Sequence, residues 1–331
     1  MRLATWLGIL LGLGALAGLV AWQGVASIAG RLGAADWALV LVAVFALPEA
    51  WFSALSWRQL FAAGRRPAFR PAFLGMWMGT SVNLLVPSAS IGGEVVKARH
   101  LMQRGTAAPD AVASVVVDKA VQAIAVLLWT LIGVAVLLLY APDGDLLLGM
   151  VAGAGLLLLG IGGFIVVQRA GAFSFLARAA VAASRNERWQ RLVQGAAGLD
   201  ATIRDLYARP SLILRSSLWR LLARVVMAGE VWLAAWLMGL PIGLAEAVIL
   251  KSLSFALRSA AFMVPGGIGV QEGGYVALGA LIGLPPDMMI SLSLATRIRE
   301  LVAAVPGLLA WQVSEGRMLW LRGAGRAGTK V

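Results

Sequence analysis

Long apolar runs with very few charges constrain this chain more than any other feature. Several of them approach or exceed the roughly 20 residues that a helix needs to cross the hydrocarbon core of a bilayer. The whole chain is 60% hydrophobic and 13% charged, whereas soluble domains are about 45–50% apolar. Because lipid offers no water to satisfy the backbone, such runs are expected to be helical. The sequence therefore predicts an all-α polytopic membrane protein.

Six apolar runs have full spanning length, and two others are interrupted. The six predicted spans cover residues 3–22, 36–60, 107–140, 146–168, 211–239 and 287–313. The interrupted stretches, 71–102 and 243–284, contain Pro and Gly near their centres, so each half is too short or too broken to span. Bilayers tolerate such loose backbone only where protein or a water-filled cavity surrounds it. Both stretches are therefore predicted to be re-entrant helical hairpins.

The first apolar run has two interpretations. The small residues Ala26, Ala29 and Gly30 follow it, as they would at the cleavage site of a signal peptide. However, Arg2 is the only basic residue before it, and the run is longer than the usual signal core of about 7–15 residues. An uncleaved first helix is the favoured interpretation.

Lysine and arginine are distributed unevenly over the predicted topology. The chain has 28 Lys and Arg against 16 Asp and Glu, a net charge of +12. With a cytoplasmic N-terminus and hairpins that return to their starting side, nineteen basic residues fall in cytoplasmic segments and only Arg31 in an opposite loop. This asymmetry follows the positive-inside rule and predicts cytoplasmic N- and C-termini. The basic excess is assigned to topology and not to nucleic acid, because no soluble basic domain is predicted.

The same topology divides the chain into five segments. These are an N-terminal helix and loop (1–35), a first repeat half (36–140), a linking span and amphipathic helix (141–210), a second half (211–315) and a basic cytoplasmic tail (316–331). In the third segment, apolar residues recur at three- and four-residue spacing from Trp189 to Leu206, with several Arg among them. That pattern predicts an amphipathic helix on the cytoplasmic face of the membrane.

The two hairpin breaks resemble each other. Pro87 is followed by a stretch of small residues and then by Glu94, and Pro265 by a glycine-rich stretch and then by Glu272. In both cases Glu comes seven residues after Pro. Because the predicted hairpins start on opposite sides of the membrane, the two halves are predicted to form an inverted repeat, the arrangement of alternating-access transporters. The alternative is that both hairpins are inert packing features.

Charged residues inside the predicted membrane segments are energetically costly and therefore informative. Glu230, Arg258 and Glu272 lie too deep to reach water, so we expect them either to pair with one another or to line a polar pathway. Arg297 and Glu300 are expected to pair on one helix face. The basic residues near span ends are expected to extend towards water; they are Lys97, Arg99, Arg215, Arg220 and Arg224.

Missing residue types exclude several chemistries. The chain has no Cys, which excludes thiol nucleophiles and iron–sulfur clusters, and a single His (His100), which disfavours a His-based metal cage or a Ser-His-Asp triad. The glycine-rich run 266–269 is not a nucleotide loop, since no strand precedes it. No cofactor and no metal are therefore predicted.

Two motifs resemble a known family. The stretch PSASIGGEVVKARHL, followed by the Asp118-Lys119 pair, resembles the flippase-like transmembrane domain of lysylphosphatidylglycerol synthases. The segments LRSAAFMVPGGIGVQEGGY and TRIRELVAAVPGLLAWQ are similar to its hopanoid-biosynthesis-associated (HpnL) branch. The resemblance covers roughly 36–315 and implies a bacterial inner-membrane protein that flips lipids without a cofactor. No soluble aminoacyl-transferase domain follows residue 315, so only the membrane step is implied.

The resemblance and the charge pattern together select the candidate substrate-binding and translocation residues. In the first half these are Pro87, Ser88, Ser90, Gly92, Gly93, Glu94, Arg99, Asp118 and Lys119. In the second half they are Glu230, Arg258, Pro265, Gly266, Gly267, Gly269, Glu272, Arg297, Arg299 and Glu300. No catalytic residue is predicted.

The leading functional hypothesis is a lipid flippase or transporter. The headgroup of a hopanoid or phospholipid-like substrate would occupy a polar cavity between the hairpins, while the tail stays in lipid. The alternative is an integral-membrane enzyme that modifies a lipid headgroup, with Glu272 or Glu94 as base; a passive scaffold is a third option. Expected partners are membrane lipids and proteins of lipid biosynthesis or export, and the Gly-rich helix faces also allow a homodimer.

Overall fold

The computed structural model describes residues 39–62, 64–86, 91–140, 144–171, 174–175, 188–240, 242–261, 264 and 267–327. Within these residues all regular structure is helical, which confirms the all-α prediction for this part of the chain. A short α1 (Leu39–Val42) continues through a 3-10 turn (Ala43–Phe45) into α2 (Ala46–Gln59). The remaining helices are α3 (Phe69–Leu85), α4 (Gly92–Met102), α5 (Ala108–Leu137), α6 (Gly144–Arg169), α7 (Arg188–Tyr207), α8 (Pro210–Leu237), α9 (Leu244–Ala260), α10 (Val270–Leu281) and α11 (Pro286–Ala327).

Both interrupted stretches fold as pairs of packed helices. The first hairpin consists of α3 and α4, with 17 and 11 residues, and the second of α9 and α10, with 17 and 12 residues. At 1.5 Å per residue, even the longer arms reach only about 26 Å, less than the ~30 Å hydrocarbon core. In each stretch one helix ends before the predicted break and another begins after it. Pro87, Ser88, Ser90, Pro265 and Gly266 themselves lie outside the described residues, and the re-entrant character of the hairpins stays a prediction.

The helix ends follow local sequence signals. Pro109 and Pro210 occupy the first turns of α5 and α8, where the N–H that proline lacks is not needed. In the second hairpin, α10 begins after Gly269, whose φ of +80° lies in the left-handed region that favours glycine. The Glu272 carboxylate accepts a hydrogen bond from the Gly269 N–H at 2.7 Å. This acid therefore caps the second arm of its hairpin.

Helices α2 and α8 pack side by side and connect the two halves of the chain. The Ser56 hydroxyl donates to the Ser216 carbonyl at 2.8 Å, and the Ser216 hydroxyl donates to the Ser56 carbonyl at 2.9 Å. These reciprocal bonds between small side chains bring the two backbones close together. Each of the two helices also precedes a hairpin along the chain, so they occupy equivalent positions in the two halves.

Each hairpin packs against a long helix from the other half. Helix α3 lies against α11, and α9 lies against α5. A glycine makes each crossing close, because a Cβ at Gly307 would collide with Ser81, and a Cβ at Gly133 with Ser252. Each hairpin also contacts the long helix that follows it, through α4 and α5 or through α10 and α11. Both α5 and α11 therefore contact both hairpins.

Two apolar cores surround these contacts. One lies mainly among α2 to α5 and includes Trp57, Leu101 and Val117. The other lies mainly among α8 to α11 and includes Leu250 and Met289. All five side chains are fully buried. Between membrane helices such contacts stabilise the fold through close packing, since lipid is as apolar as the side chains themselves.

Within the described residues, α5 alone is long and apolar enough by composition to cross a membrane, and a shorter apolar segment covers Gly155–Arg169 of α6. Helices α8 and α11 have sufficient length, with 28 and 42 residues, but each carries several charges. The predicted first span, 3–22, lies outside the described residues. The outer face of α6 exposes Leu156, Leu158 and Leu159, an apolar surface of the kind that lipid covers. The number of spans stays a prediction.

The linking helix is amphipathic in its described part, and its position on the cytoplasmic face of the membrane stays a prediction. In α7, Ile203 and Leu206 are buried, while Arg204 and Asp205 are exposed. Its apolar face packs against α5, α6 and α8, so protein covers at least part of the face that the sequence assigned to the membrane surface. At the C-terminal end, α11 continues to Ala327, and most of the predicted basic tail is helical.

Candidate functional site

Among the described residues, fourteen charged side chains form ion pairs in which both partners are at most 32% exposed. They lie at the two hairpins and the helices beside them, and we call this set the buried network. The eight basic members are Lys97, Lys119, Arg220, Arg224, Lys251, Arg258, Arg297 and Arg299. The six acidic members are Glu49, Glu94, Asp118, Glu230, Glu272 and Glu300. The network has three parts, one at each hairpin and one between them.

Asp118 on α5 is the centre of the first part and is completely buried. One of its oxygens accepts hydrogen bonds from Lys97 Nζ at 3.0 Å and from Gln122 Nε2 at 2.8 Å. The other oxygen pairs with Arg220 from α8, and Lys97 also pairs with Glu94. Because Lys97 lies on α4, this single carboxylate joins the first hairpin, α5 and α8 through charge-assisted bonds.

Glu94 fixes the start of α4. Its carboxylate pairs with Lys119 Nζ of α5 at 2.6 Å. Asn83, near the end of α3, donates to Glu94 at 3.3 Å and accepts a hydrogen bond from the Gly93 N–H at 2.8 Å. A Cβ at Gly93 would collide with the carbonyl of Gly79 and with the Asn83 side chain. Glycine at this position therefore allows the two arms of the first hairpin to approach closely.

Glu272 plays the corresponding role in the second hairpin and is also completely buried. Arg297 of α11 donates to its two oxygens, from Nε at 2.5 Å and from Nη2 at 3.1 Å. The same guanidinium donates to the Gly267 carbonyl at 3.0 Å. Gly267 has a φ of +59°, and a Cβ there would collide with the Arg258 side chain. Arg297 thus ties the break of the hairpin to both α10 and α11.

Arg258, near the end of α9, makes a second connection to α11. Its Nη1 donates to Glu300 at 2.6 Å and to the Gln271 side-chain oxygen at 2.9 Å. Gln271 on α10 in turn donates to the hydroxyls of Ser293 and Thr296, each at 3.2 Å. Both arms of the second hairpin are therefore bonded to α11.

Glu230 on α8 is the centre of the part between the hairpins. It is completely buried and accepts a hydrogen bond from Lys251 of α9 at 2.9 Å. Arg299 of α11 donates to both of its oxygens, at 2.9 and 3.1 Å, in the two-pronged geometry that guanidinium favours. Glu49 on α2 contacts Arg299 at 3.3 Å and Arg224 at 3.4 Å. These two are the longest contacts of the network, and the Glu49 side chain is 23% exposed.

Each of the two hairpins has an ion pair at the equivalent position. Glu94 and Lys119 are 25 residues apart in the chain, and so are Glu272 and Arg297. In each pair the acid begins the second arm of a hairpin, and the base lies on the long helix that follows. The equal spacing is present in the sequence, but it gains meaning only when acid and base are seen in contact.

Three expectations from the sequence are wrong. Lys97 and Arg220 do not extend to water, since they are only 2% and 3% exposed and both pair with Asp118. Arg224 is largely buried as well, at 15% side-chain exposure. Arg297 and Glu300 do not pair with each other, because each bonds to a residue of the second hairpin instead. The distance of a residue from the end of its predicted span does not show whether its side chain has a partner on a neighbouring helix.

Most of the predicted site residues that the structure describes contribute to the network, directly or through the hairpin glycines. Arg99 does not, because its side chain is half-exposed and donates to Glu315 on α11 at 2.8 Å. Gly92 is the first residue of α4, adjacent to the network. Five members were not selected from the sequence, namely Glu49, Lys97, Arg220, Arg224 and Lys251. Apart from the Lys97–Glu94 contact within α4, their partners lie on other helices, where sequence spacing gives no signal.

Two cavities in the described part of the chain lie away from the network. One of about 270 Å³ is lined in part by Arg65 and Asp110, and one of about 400 Å³ is lined by apolar residues including Trp51 and Phe73. Neither is the expected polar cavity between the hairpins. Among the described residues, no three His, Cys, Asp or Glu side chains converge as a metal site would require.

Long helices, an apolar outer face and ion pairs buried between helices together define a helical membrane protein. Comparison with protein families matches residues 6–307 to the lysylphosphatidylglycerol synthase TM region. The chain belongs to this family, which relates it to lipid modification or transport in membranes. The family predicted from the motifs is thus confirmed, and its hopanoid-associated branch stays a prediction. No curated protein and no solved structure matches the chain.

Proposed function

We propose that this protein is a lipid flippase or transporter of the bacterial inner membrane, with hopanoids or other polar-headgroup lipids as cargo. It acts without a cofactor and is not an enzyme, and both of its termini face the cytoplasm. The headgroup passes along the buried network between the two hairpins, while the apolar tail remains in lipid. Broken helices near the middle of a membrane protein are where transporters hold their substrates.

The observation that carries the proposal is the equivalent ion pair of the two hairpins. Glu94 with Lys119, and Glu272 with Arg297, join a hairpin arm to a long helix in the same way. Alternating access requires two closures that open in turn around a shared site. Two matched ion pairs, one at each hairpin, supply such closures.

The packing of the helices supports an inverted repeat. Helices α2 to α5 correspond in order to α8 to α11, and the correspondence extends to their contacts, since α3 lies on α11 as α9 lies on α5. The distribution of Lys and Arg supports a topology in which the two hairpins start on opposite sides of the membrane. A repeat with this geometry lets one half close while the other opens.

The ion pairs also make opening depend on cargo. Removing one partner from a buried pair costs about 3–5 kcal/mol, because the other charge is left uncompensated. A lipid headgroup that offers its own charges or hydrogen bonds offsets this cost at one hairpin. Opening both hairpins together would roughly double it, which favours states in which only one hairpin is open.

The experiment that tests the proposal is lipid analysis of separated inner and outer membranes from cells with and without the protein. We expect the total lipid inventory to be unchanged and one lipid class to shift between the membranes. The Glu272→Gln variant should reproduce the effect of deletion. Glu246→Gln is the matched control, because Glu246 makes the same cap contact to the Gly243 N–H at 3.0 Å but lies outside the buried network.

The other hypotheses predict different outcomes. An integral-membrane enzyme would cause a modified lipid to disappear and its precursor to accumulate. A passive scaffold would leave the lipid distribution sensitive to deletion but insensitive to Glu272→Gln, provided that the variant is present at normal levels in the membrane. Either pattern would overturn the proposed transport function.

A further inference from the structure

The buried network carries more positive than negative charge. Its eight basic and six acidic side chains give it a formal net charge of +2. Ion pairs are the usual way in which a membrane protein compensates buried charge. An excess of this size therefore makes the network receptive to an anionic ligand.

One unit of this excess lies at the first hairpin, and the other lies in the part between the hairpins, which contains Arg224 on α8. Arg224 contacts Glu49 at 3.4 Å, and Glu49 also contacts Arg299. Arg220 precedes Arg224 by one turn of α8, and Arg299 shares the Glu49 carboxylate with it. Three guanidinium groups thus lie close together, and Glu49, the acid that faces Arg224, is held by the longest ion-pair contacts in the network.

Two of these guanidinium groups have donors that the described residues do not use. The Nε atoms of Arg220 and Arg224 are buried and make no hydrogen bond within the described part of the chain. The two residues are one helical turn apart on α8, and Arg220 as a whole is only 3% exposed. The ring of Phe255 covers one face of the Arg224 guanidinium at 4.1 Å. Its nitrogen-bearing edge is therefore the part that can bind a ligand.

We propose that Arg224, with Arg220, forms a binding subsite for a phosphate group. Guanidinium groups bind phosphate oxygens through paired, charge-assisted hydrogen bonds. A phosphomonoester carries up to two negative charges, which match the net charge of the network. Phosphate displaces Glu49, whose side chain is already partly exposed.

This inference rests on the proposed lipid transport for the source of the phosphate. It selects between the two kinds of cargo, because a phosphate-bearing headgroup fits the subsite and an uncharged hopanoid does not. Binding is measured without transport, so the two ideas fail separately. If phosphate binds as expected but no lipid is moved, the subsite stands and the flippase proposal is wrong.

The test is a binding titration of the full chain in neutral detergent, followed by tryptophan fluorescence. Three probes are compared: short-chain phosphatidic acid, diacylglycerol with the same tails, and inorganic phosphate. Arg224→Gln should weaken the binding of phosphatidic acid about tenfold or more, since it removes charge-assisted hydrogen bonds. Arg215→Gln is the matched control, because Arg215 lies on the same helix but is exposed, and it should leave binding unchanged. Glu49→Gln should strengthen binding severalfold, since it removes the competing carboxylate.

Opposite effects of Arg224→Gln and Glu49→Gln distinguish a ligand site from a merely structural pair, which both variants would weaken alike. Tight binding of phosphatidic acid with weak binding of the other probes assigns the phosphate to a lipid. Inorganic phosphate binding equally well would support the subsite and assign it to a soluble anion. Equal binding of diacylglycerol, or equal affinity in Arg224→Gln and the unaltered protein, would overturn the subsite. If Arg224→Gln does not fold, Arg224→Lys is used in its place. Arg224→Lys should weaken the binding of phosphatidic acid, and Glu49→Gln should strengthen it.

Discussion

Replacing Asp118 by Asn tests whether the buried ion pairs hold the fold together. The substitution keeps the size of the side chain and removes its charge. Asp118 is completely buried and is the shared acceptor for Lys97 at 3.0 Å and for Arg220. Asn can still accept a hydrogen bond from one of these groups, but it cannot compensate two positive charges.

The structure sets the size of the expected effect. Breaking a buried pair by removing one partner costs about 3–5 kcal/mol. We expect Asp118→Asn to lie within that range, since Lys97 keeps Glu94 as a partner while Arg220 loses the acid it contacts. Asp110→Asn is the matched control on the same helix, because its partner Arg65 is 71% exposed. An exposed pair of this kind contributes only about 0–1 kcal/mol.

The assay is reversible unfolding of the purified chain in mixed micelles, with the free energy of unfolding compared between the two variants. Adding Arg220→Met to Asp118→Asn should recover part of the loss, because it removes the charge that the first change left unpaired. The argument would fail if Asp118→Asn cost no more than Asp110→Asn. It would also fail if the second substitution only added to the damage.

Three further predictions concern the hairpins. Glu94→Lys should abolish lipid redistribution. The double variant with Lys119→Glu should restore part of it, because the swapped pair keeps opposite charges in contact. If membrane lipid analysis shows no recovery in the double variant, the pairing is refuted. Gly93→Ala should destabilise the protein by roughly 1–3 kcal/mol through overpacking. The control Gly198→Ala, with nothing within 4 Å of the new methyl group, should be neutral or stabilising by up to about 1 kcal/mol. Thermal unfolding measures both variants, and equal effects would contradict the close contact of α3 and α4. Glu315→Gln should lower the free energy of unfolding by at most about 1 kcal/mol, since its partner Arg99 is 46% exposed. If this ion pair lies at the surface, unfolding in high salt should abolish even that difference, and a difference that persists would contradict this position.

The helical hairpins could be predicted because their cause is local. A proline removes a backbone donor and glycine tolerates unusual dihedral angles, so Pro87 and Pro265, each followed by small residues and glycines, favour a break in the helix. Proline alone is not sufficient, because Pro306 lies inside α11. The acids that follow them, Glu94 and Glu272, could be selected for the same reason, since each stands at the start of the next helix, where a carboxylate is stabilised.

The partners of these acids could not be predicted in the same way. Asp118 meets Arg220 across 102 residues of sequence, and Glu230 meets Arg299 across 69. Such pairs depend on which helices pack together, which spacing along one helix does not reveal. The error over Arg220 has the same origin, because its distance from a helix end says nothing about an acid on α5.

The length of α11 has a mechanical consequence. Its 42 residues correspond to about 63 Å, roughly twice the ~30 Å thickness of the hydrocarbon core. The rod is attached to the first hairpin by the Trp77 indole, which donates to the Ala303 carbonyl at 2.8 Å, and to the second by Arg297. It therefore works as a lever with two points of attachment, with Pro306 just beyond the first of them. The two attachments lie six residues apart, about 9 Å along the helix, so a tilt of α11 that relaxes one attachment strains the other, and a displacement of one hairpin is transmitted through α11 to the other hairpin.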